Sequence, residues 1–218
     1  FMVDLMNGKA DPRRVTYFTN FPANSGSYKG AVSGDGSSQQ YSRIHTYLRG
    51  ATTKVGPALP TGDWDPTGTN SISYNGAAPI RMLTFAEYNF IRAEAALYGA
   101  PGDPQAFFTA GITASMKDAG VSDADALIYL NAQGTLTGSV DQKLKKIIEE
   151  KYVANFGVAV EPWTDWRRTG YPAISKVGNA VMSDIPRSLF YPSNEIDLNR
   201  NAPPQKASML ERIFWDKQ

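Results

Sequence analysis

The sequence predicts a mainly α-helical fold, built from helical hairpins separated by long irregular loops. Two contrasting stretches carry that prediction. From Thr84 to Phe156 apolar residues recur at helical spacing between clear cap signals. From Phe21 to Ile80, Gly, Ser, Thr, Pro and Asn punctuate the chain throughout, which reads as turns and loops. The length of 218 residues suffices for one ordinary domain with a sizeable core.

The elements follow in order. A short helix fits Val3 to Asn7, before Asp11-Pro-Arg-Arg and the aromatic pair Tyr17-Phe18. Inside the irregular segment, Tyr41 to Leu48 is the best strand candidate. Thr84-Phe-Ala-Glu87 forms a capping box, and Ala86, Phe90, Ala93 and Leu97 continue the helix it opens. Gly99 stops that helix. Asp103-Pro104 caps a second helix with the stripe Phe108, Ile112 and Met116, ending at Gly120. The short connection implies an antiparallel hairpin, and small residues such as Ala93, Ala96, Ala110 and Gly111 permit close approach. Ser122 caps a short helix to about Leu130. Ser139-Val-Asp-Gln142 is a second capping box, opening a long helix to Phe156. Lys145 and Lys146 stand four residues before Glu149 and Glu150, a spacing that gives weak surface pairs. Residues 157 to 202 read as mostly extended or looped. Pro203-Pro204 then opens a last short amphipathic helix with Met209, Leu210, Ile213 and Phe214.

Composition excludes several classes. The 22 basic and 21 acidic side chains leave a net charge of +1, so there is no nucleic-acid footprint and no polybasic membrane patch. With no cysteine, disulfides, thiolate catalysis and Cys-ligated metals are excluded within this stretch. No apolar run approaches the roughly 20 residues that cross a bilayer. Phe1-Met-Val-Asp has the look of an interior position. Two hairpins also fall short of the about three repeat units a helical array normally needs. We therefore expect a single domain over 1–218, the C-terminal part of a longer chain. Within it, residues 1–80 form a loop-rich excursion and 81–218 the hairpins and C-terminal loops.

Catalytic signatures are few. His45 is the only histidine, with no Ser or carboxylate arrangement of recognised spacing around it. No nucleophile elbow or P-loop occurs. The paired carboxylates of a glycoside hydrolase have no fixed spacing and stay open as an alternative. Asp63-Trp-Asp-Pro-Thr-Gly68 has a faint calcium-loop pattern. Proline at its fourth position and Tyr74 at its twelfth fit a simple turn better. No cofactor or metal is expected.

Binding chemistry is better represented. Tyr41, Tyr47, Trp64 and Tyr74 sit in the loop-rich segment without a period that would bury them. Aromatic faces stack on the C–H faces of sugar rings, and Asp63, Asp65, Asn70 and Asn75 could hydrogen-bond the hydroxyls. The alternative is that these aromatics pin a long loop to the helices; Trp64 is the leading binding candidate. The block Glu161-Pro-Trp-Thr-Asp-Trp-Arg-Arg-Thr-Gly-Tyr-Pro172 is the most distinctive in the chain. Trp and Arg commonly anchor interfaces. Directly after a long helix, however, Trp163, Asp165, Trp166, Arg167 and Arg168 read as a structural clasp. Arg92 and Glu94 read as a structural buried or half-buried pair within an otherwise apolar helix.

Three ordered blocks stand out. Lys151-Tyr152 followed by Trp163, Asp165, Arg167, Arg168, Thr169, Gly170 and Pro172 is one. Glu87, Phe90, Ile91, Ala93, Glu94 and Ala95 are the second. Ile185-Pro-Arg through Tyr191-Pro192, Glu195 and Asn199 are the third. In this order, over about residues 80 to 202, they resemble the SusD/RagB family of Bacteroidetes; earlier, only Asp11-Pro-Arg13 matches. The resemblance implies tetratricopeptide-like helical hairpins with large loop excursions. It also implies a non-catalytic lipoprotein on the outer-membrane surface that captures nutrients, usually glycans, for a SusC-like TonB-dependent porin. The lipid anchor would lie outside this chain. A helical-repeat protein-interaction module and a peptide binder are the alternatives. Ligand residues in this family lie in variable loops, so no site residue follows from the resemblance.

Overall fold

The structure, a computed structural model, describes residues 1–34, 40–59, 62, 64, 71–158 and 160–216. Helices dominate. The described elements are α1 (Met2–Gly8), α2 (Arg14–Tyr17), α3 (Thr46–Arg49), β1 (Thr52–Lys54), β2 (Ser73–Tyr74), α4 (Phe85–Leu97), α5 (Pro104–Asp118), α6 (Asp123–Gln133), α7 (Val140–Ala154), α8 (Val160–Thr169) and α9 (Ser193–Leu198).

The cap signals act as the sequence predicts, with one variation. Ser139 and Gln142 complete a reciprocal capping box on α7. Asp103 and Ser122 each accept a backbone N–H at the start of α5 and α6. At α4, Thr84 accepts the Glu87 N–H at 3.0 Å. The Glu87 carboxylate does not reach back to the cap. It is buried and accepts from Asn155 Nδ2 at 3.0 Å, with Lys151 Nζ at 3.5 Å. A buried amide and ammonium compete better for it than an exposed helix end.

Two apolar clusters form the core. In the first, α4 and α5 pack through Phe90 and Phe108, edge to face at 6.1 Å, with Ile112, Met116 and Tyr129, and Ile147 of α7 closes it. Gly111 makes the approach possible, because a Cβ there would lie 2.8 Å from the Phe90 ring. The second cluster joins the N-terminal segment to α7: Met6, Tyr17, Phe18, Tyr47 and Val153, with Phe156 stacked on Tyr17 at 4.9 Å.

Beneath these clusters lies a buried ionic network. Arg13 is fully buried; it pairs with Asp11 at 2.6 Å and with Glu150 at 2.8 Å, and donates to Ser115 Oγ at 2.8 Å. Lys9 and the Tyr129 hydroxyl also donate to Glu150. The Asp11-Pro-Arg13 segment is thereby fixed to α7.

Several expectations need correction. Tyr41–Leu48 is not a strand: a single bridge joins Ile44 to Phe18, and α3 follows at once. Backbone bonds from Thr19 N to Arg43 O and from His45 N to Tyr17 O flank that bridge. The Trp-Arg-Arg block is helical, as α8, and a second helix, α9, also falls in the region read as looped. No helix follows Pro203-Pro204; the Met209 carbonyl instead accepts the N–H groups of Arg187 and Ser188. Lys146 donates to the Thr135 carbonyl, leaving Glu150 to the buried network. Arg92 and Glu94 do not pair with each other. Arg92 bonds the Tyr88 hydroxyl and lies over Phe107, and Glu94 pairs with Arg168.

Candidate binding site

The loop-rich segment builds two adjoining hollows around one residue, Trp64. The larger, of ≈ 590 Å³, is lined by Asn20, Asn24, Tyr28, His45 and Trp64, among others. The smaller, of ≈ 250 Å³, is lined by Arg43, Arg49, Trp64, Ser71 and Tyr74, with Thr19 and Ile72. Thr19, Trp64 and Ile72 belong to both.

Local geometry fixes these walls. The Phe18–Ile44 bridge sets Thr19 beside Arg43 and His45. Just after α3, Gly50 adopts φ 81°, and a Cβ there would strike the Asn75 side chain and the Ala77 backbone. The chain can therefore turn into β1 and pair with β2, with Asn75 N donating to Ala51 O at 3.0 Å. Trp64 is held by an antiparallel bridge to Ala58. Its indole Nε1 is buried and has no hydrogen-bond partner among the described residues, an uncommon state for an indole N–H.

Electrostatics distinguish the two walls. Arg49 lies 4.0 Å over the Tyr74 ring, and the Tyr74 hydroxyl shares a 2.7 Å hydrogen bond with His45 Nδ1. Burial, and then the Arg49 guanidinium, hold the His45 imidazole below its ordinary 6.5. Burial raises the Tyr74 phenol above 10.0, although Arg49 opposes it. Both groups are neutral at pH 7. In the larger hollow, the Asp11 carboxylate is already committed to Arg13.

The predicted site residues divide. Trp64 and Tyr74 meet in the smaller hollow. One face of Tyr74 is covered by Arg49, so only the other remains for stacking. Asn75 is exposed and uses its Oδ1 to accept the Ala77 N–H, shaping the turn. Tyr41 lines neither hollow. Tyr47 is corrected: it is 5% exposed, packed between Tyr17 at 4.3 Å and Arg81 at 3.6 Å, with its hydroxyl on Asp118. Both ring faces are taken, so it has no face for a ligand. Asp63, Asp65 and Asn70, with the Asp63–Gly68 turn, lie outside the described residues. His45, Arg43, Arg49 and Tyr28 were missed. The only sequence signal was that Lys29, Arg43, Arg49 and Lys54 recur in a stretch otherwise poor in charge.

The Trp-Arg-Arg block lines neither hollow. Asp165 accepts Lys151 Nζ at 2.9 Å and Arg168 at 2.8 Å, and Arg168 reaches Glu94 on α4. Arg167 is sandwiched by Trp163 at 3.6 Å and Trp215 at 4.6 Å. Trp163 Nε1 donates to the Pro186 carbonyl, and Arg187 lies 4.1 Å over Trp166. Helix α8 thus contacts α4, α7 and the C-terminal segment.

Comparisons with known proteins agree on one family. Residues 1–192 match the SusD-like family model described as starch-binding and associating with the outer membrane. A search of curated proteins finds no match. Among solved structures, a SusD homologue from Bacteroides fragilis superposes with a TM-score of 0.70 at 22% identity, over 91% of this chain and 45% of its own. A chitin-binding SusD homologue from Flavobacterium johnsoniae gives 0.67 at 25% identity, over 99% and 48%. One from Bacteroides thetaiotaomicron gives 0.64 at 25% identity, over 98% and 50%. The chain spans about half the length of these relatives. No helix among the described residues is long and apolar enough to cross a membrane. With its family match and its helical hairpins carrying long loops, the chain belongs to the SusD-like family, a carbohydrate-binding family of the outer membrane.

Proposed function

We propose that this chain binds glycans at the cell surface without cleaving them, for uptake through a partner SusC-like TonB-dependent porin, with a lipid anchor lying elsewhere in the polypeptide. One observation carries the reading: Trp64 stands at the junction of two adjoining hollows among polar loop residues. A hollow that Trp64 lines together with Asn20, Asn24 and Thr19 offers stacking and hydroxyl recognition together. Titration calorimetry against starch, chitin and peptide panels tests the reading. Trp64→Ala should weaken glycan binding at least about tenfold, the scale of a lost stacking contact, with unchanged thermal unfolding. Unaltered affinity for a ligand that the parent protein binds would sink the assignment.

A second reading, protein docking, is favoured by a separate surface. Ile80, Met82, Leu83 and Phe85 are more than two-thirds exposed, and Ile91 follows on α4. Such a patch fits an apolar protein surface better than a sugar. It does not coincide with the Trp64 hollows, so both activities can coexist. Met82→Asp with Phe85→Asp should abolish co-purification with the porin and leave glycan affinity intact; retained co-purification would remove this patch from the interface.

A further inference from the structure

The smaller hollow has a chemistry that starch and chitin do not call for. Neutral sugar hydroxyls both donate and accept, and sites that bind them usually supply carboxylate or amide oxygens. Here the described lining presents donors. Arg49 is exposed and makes no ion pair with a described residue; it lies over the Tyr74 ring. Trp64 Nε1 is a buried donor lacking a partner among the described residues. The acceptors nearby are occupied: Thr19 Oγ1 takes the Arg43 N–H, and His45 Nδ1 is bonded to Tyr74. No Asp or Glu is among the described lining residues.

An arginine positioned over an aromatic ring still has guanidinium donors to offer a ligand. That arrangement suits a carboxylate or a sulfate, which accept in the plane of the guanidinium. Stacking on Tyr74 also lowers the entropy lost when Arg49 engages a ligand. The adjoining larger hollow, with Asn20, Asn24 and Tyr28, suits the uncharged rings of the same chain.

We propose that the Trp64 hollows select an acidic oligosaccharide, its carboxylate or sulfate seated on Arg49 and an adjoining ring stacked on Trp64. The proposal rests on the glycan-binding reading and specifies its ligand class.

The test compares matched ligands on the intact chain. Oligogalacturonate is titrated beside its carboxyl-reduced form, and dextran sulfate beside dextran; the two pairs separate a carboxylate from a sulfate. In one pair or both, the acidic member should bind at least about tenfold tighter at about 50 mM salt, and the gap should narrow at about 500 mM as the pair is screened. Arg49→Ala should erase the gap, Arg49→Lys should keep part of it, and Trp64→Ala should weaken both members. Equal binding within both pairs would overturn the acidic preference and leave neutral glycan binding standing. So would a gap that survives Arg49→Ala in a folded protein. Absence of binding to these ligands and to starch and chitin would overturn the glycan reading as well.

Discussion

Arg13 donates to the Glu150 carboxylate at 2.8 Å across 137 positions of sequence, and both side chains are buried. The residues flanking Arg13 line the larger hollow, so this pair ties the binding loops to the helical core. Glu150→Gln keeps the shape and removes the charge, leaving Arg13 with Asp11 alone. Breaking a buried pair typically costs about 3–5 kcal/mol. With Asp11 retained, we expect a loss of about 3 kcal/mol in urea denaturation, at the low end of that range.

The same pair sets the acid limb of stability. Burial alone would raise the Glu150 carboxyl; Arg13 and Lys9 outweigh it and hold it at about 2, below the ordinary 4.5. A depressed carboxyl stabilises the fold fully above 4.5, and that contribution is lost as pH falls through about 2. Unfolding followed by circular dichroism should show stability declining across this window, with a shallower decline in Glu150→Gln. Equal slopes would show that Glu150 does not govern it.

At Gly111 helical preference and packing disagree. Alanine favours a helix over glycine by about 1 kcal/mol. Its Cβ would meet two carbons of the Phe90 ring at 2.8 and 2.9 Å, and that ring is fully buried. Overpacking of this kind costs about 1–3 kcal/mol. Gly111→Ala should therefore destabilise by up to about 2 kcal/mol, and its effect should shrink when Phe90 is replaced by leucine. A stabilising Gly111→Ala would mean that α4 and α5 can separate without loss.

Much of the helical half was legible because caps and stripes are local. Ser139 and Gln142, or Asp103 and Pro104, lie within one turn of each other. Helix α8 was missed because Pro162 and two tryptophans argue for a loop. Pro162 lies in the first helical turn, where its missing N–H has no bond to lose. The segment after Pro203 misled in the opposite direction: its apolar spacing suits a helix, but the Met209 carbonyl is engaged by residues 187 and 188. The binding loops were legible only as composition. Arg49 and Tyr74 meet through a short antiparallel pairing that leaves no repeating pattern.

Asp165 separates a clasp from a binding site. It joins Lys151 of α7 to Arg168 of α8, while among the described residues Lys151 has only Glu87, at 3.5 Å, as another acid partner. Asp165→Asn should lower the unfolding free energy by about 2–3 kcal/mol, since Lys151 stays buried with a longer contact. Glycan affinity at 25 °C should be unchanged, because Asp165 lines neither Trp64 hollow. Reduced affinity in a protein that remains folded would move the binding site to α8.

His45 reports on the groove directly, since it is the only histidine and gives one imidazole signal in an NMR titration. Burial lowers its pKa, and Arg49 lowers it further. The midpoint should fall below 6.5 in the folded chain. Arg49→Ala removes the second cause alone, so the midpoint should rise yet stay under 6.5. The linked stability has a definite sign. A histidine whose folded pKa is depressed resists the proton that the unfolded chain accepts. Its neutral form leaves stability flat above 6.5, and stability drops as pH falls from 6.5 to the folded midpoint. Tyr74→Phe deletes the 2.7 Å bond and leaves both lowering causes in place, so the midpoint should remain depressed. A midpoint at or above 6.5 in the parent chain would mean that His45 is solvated and that Arg49 does not face it.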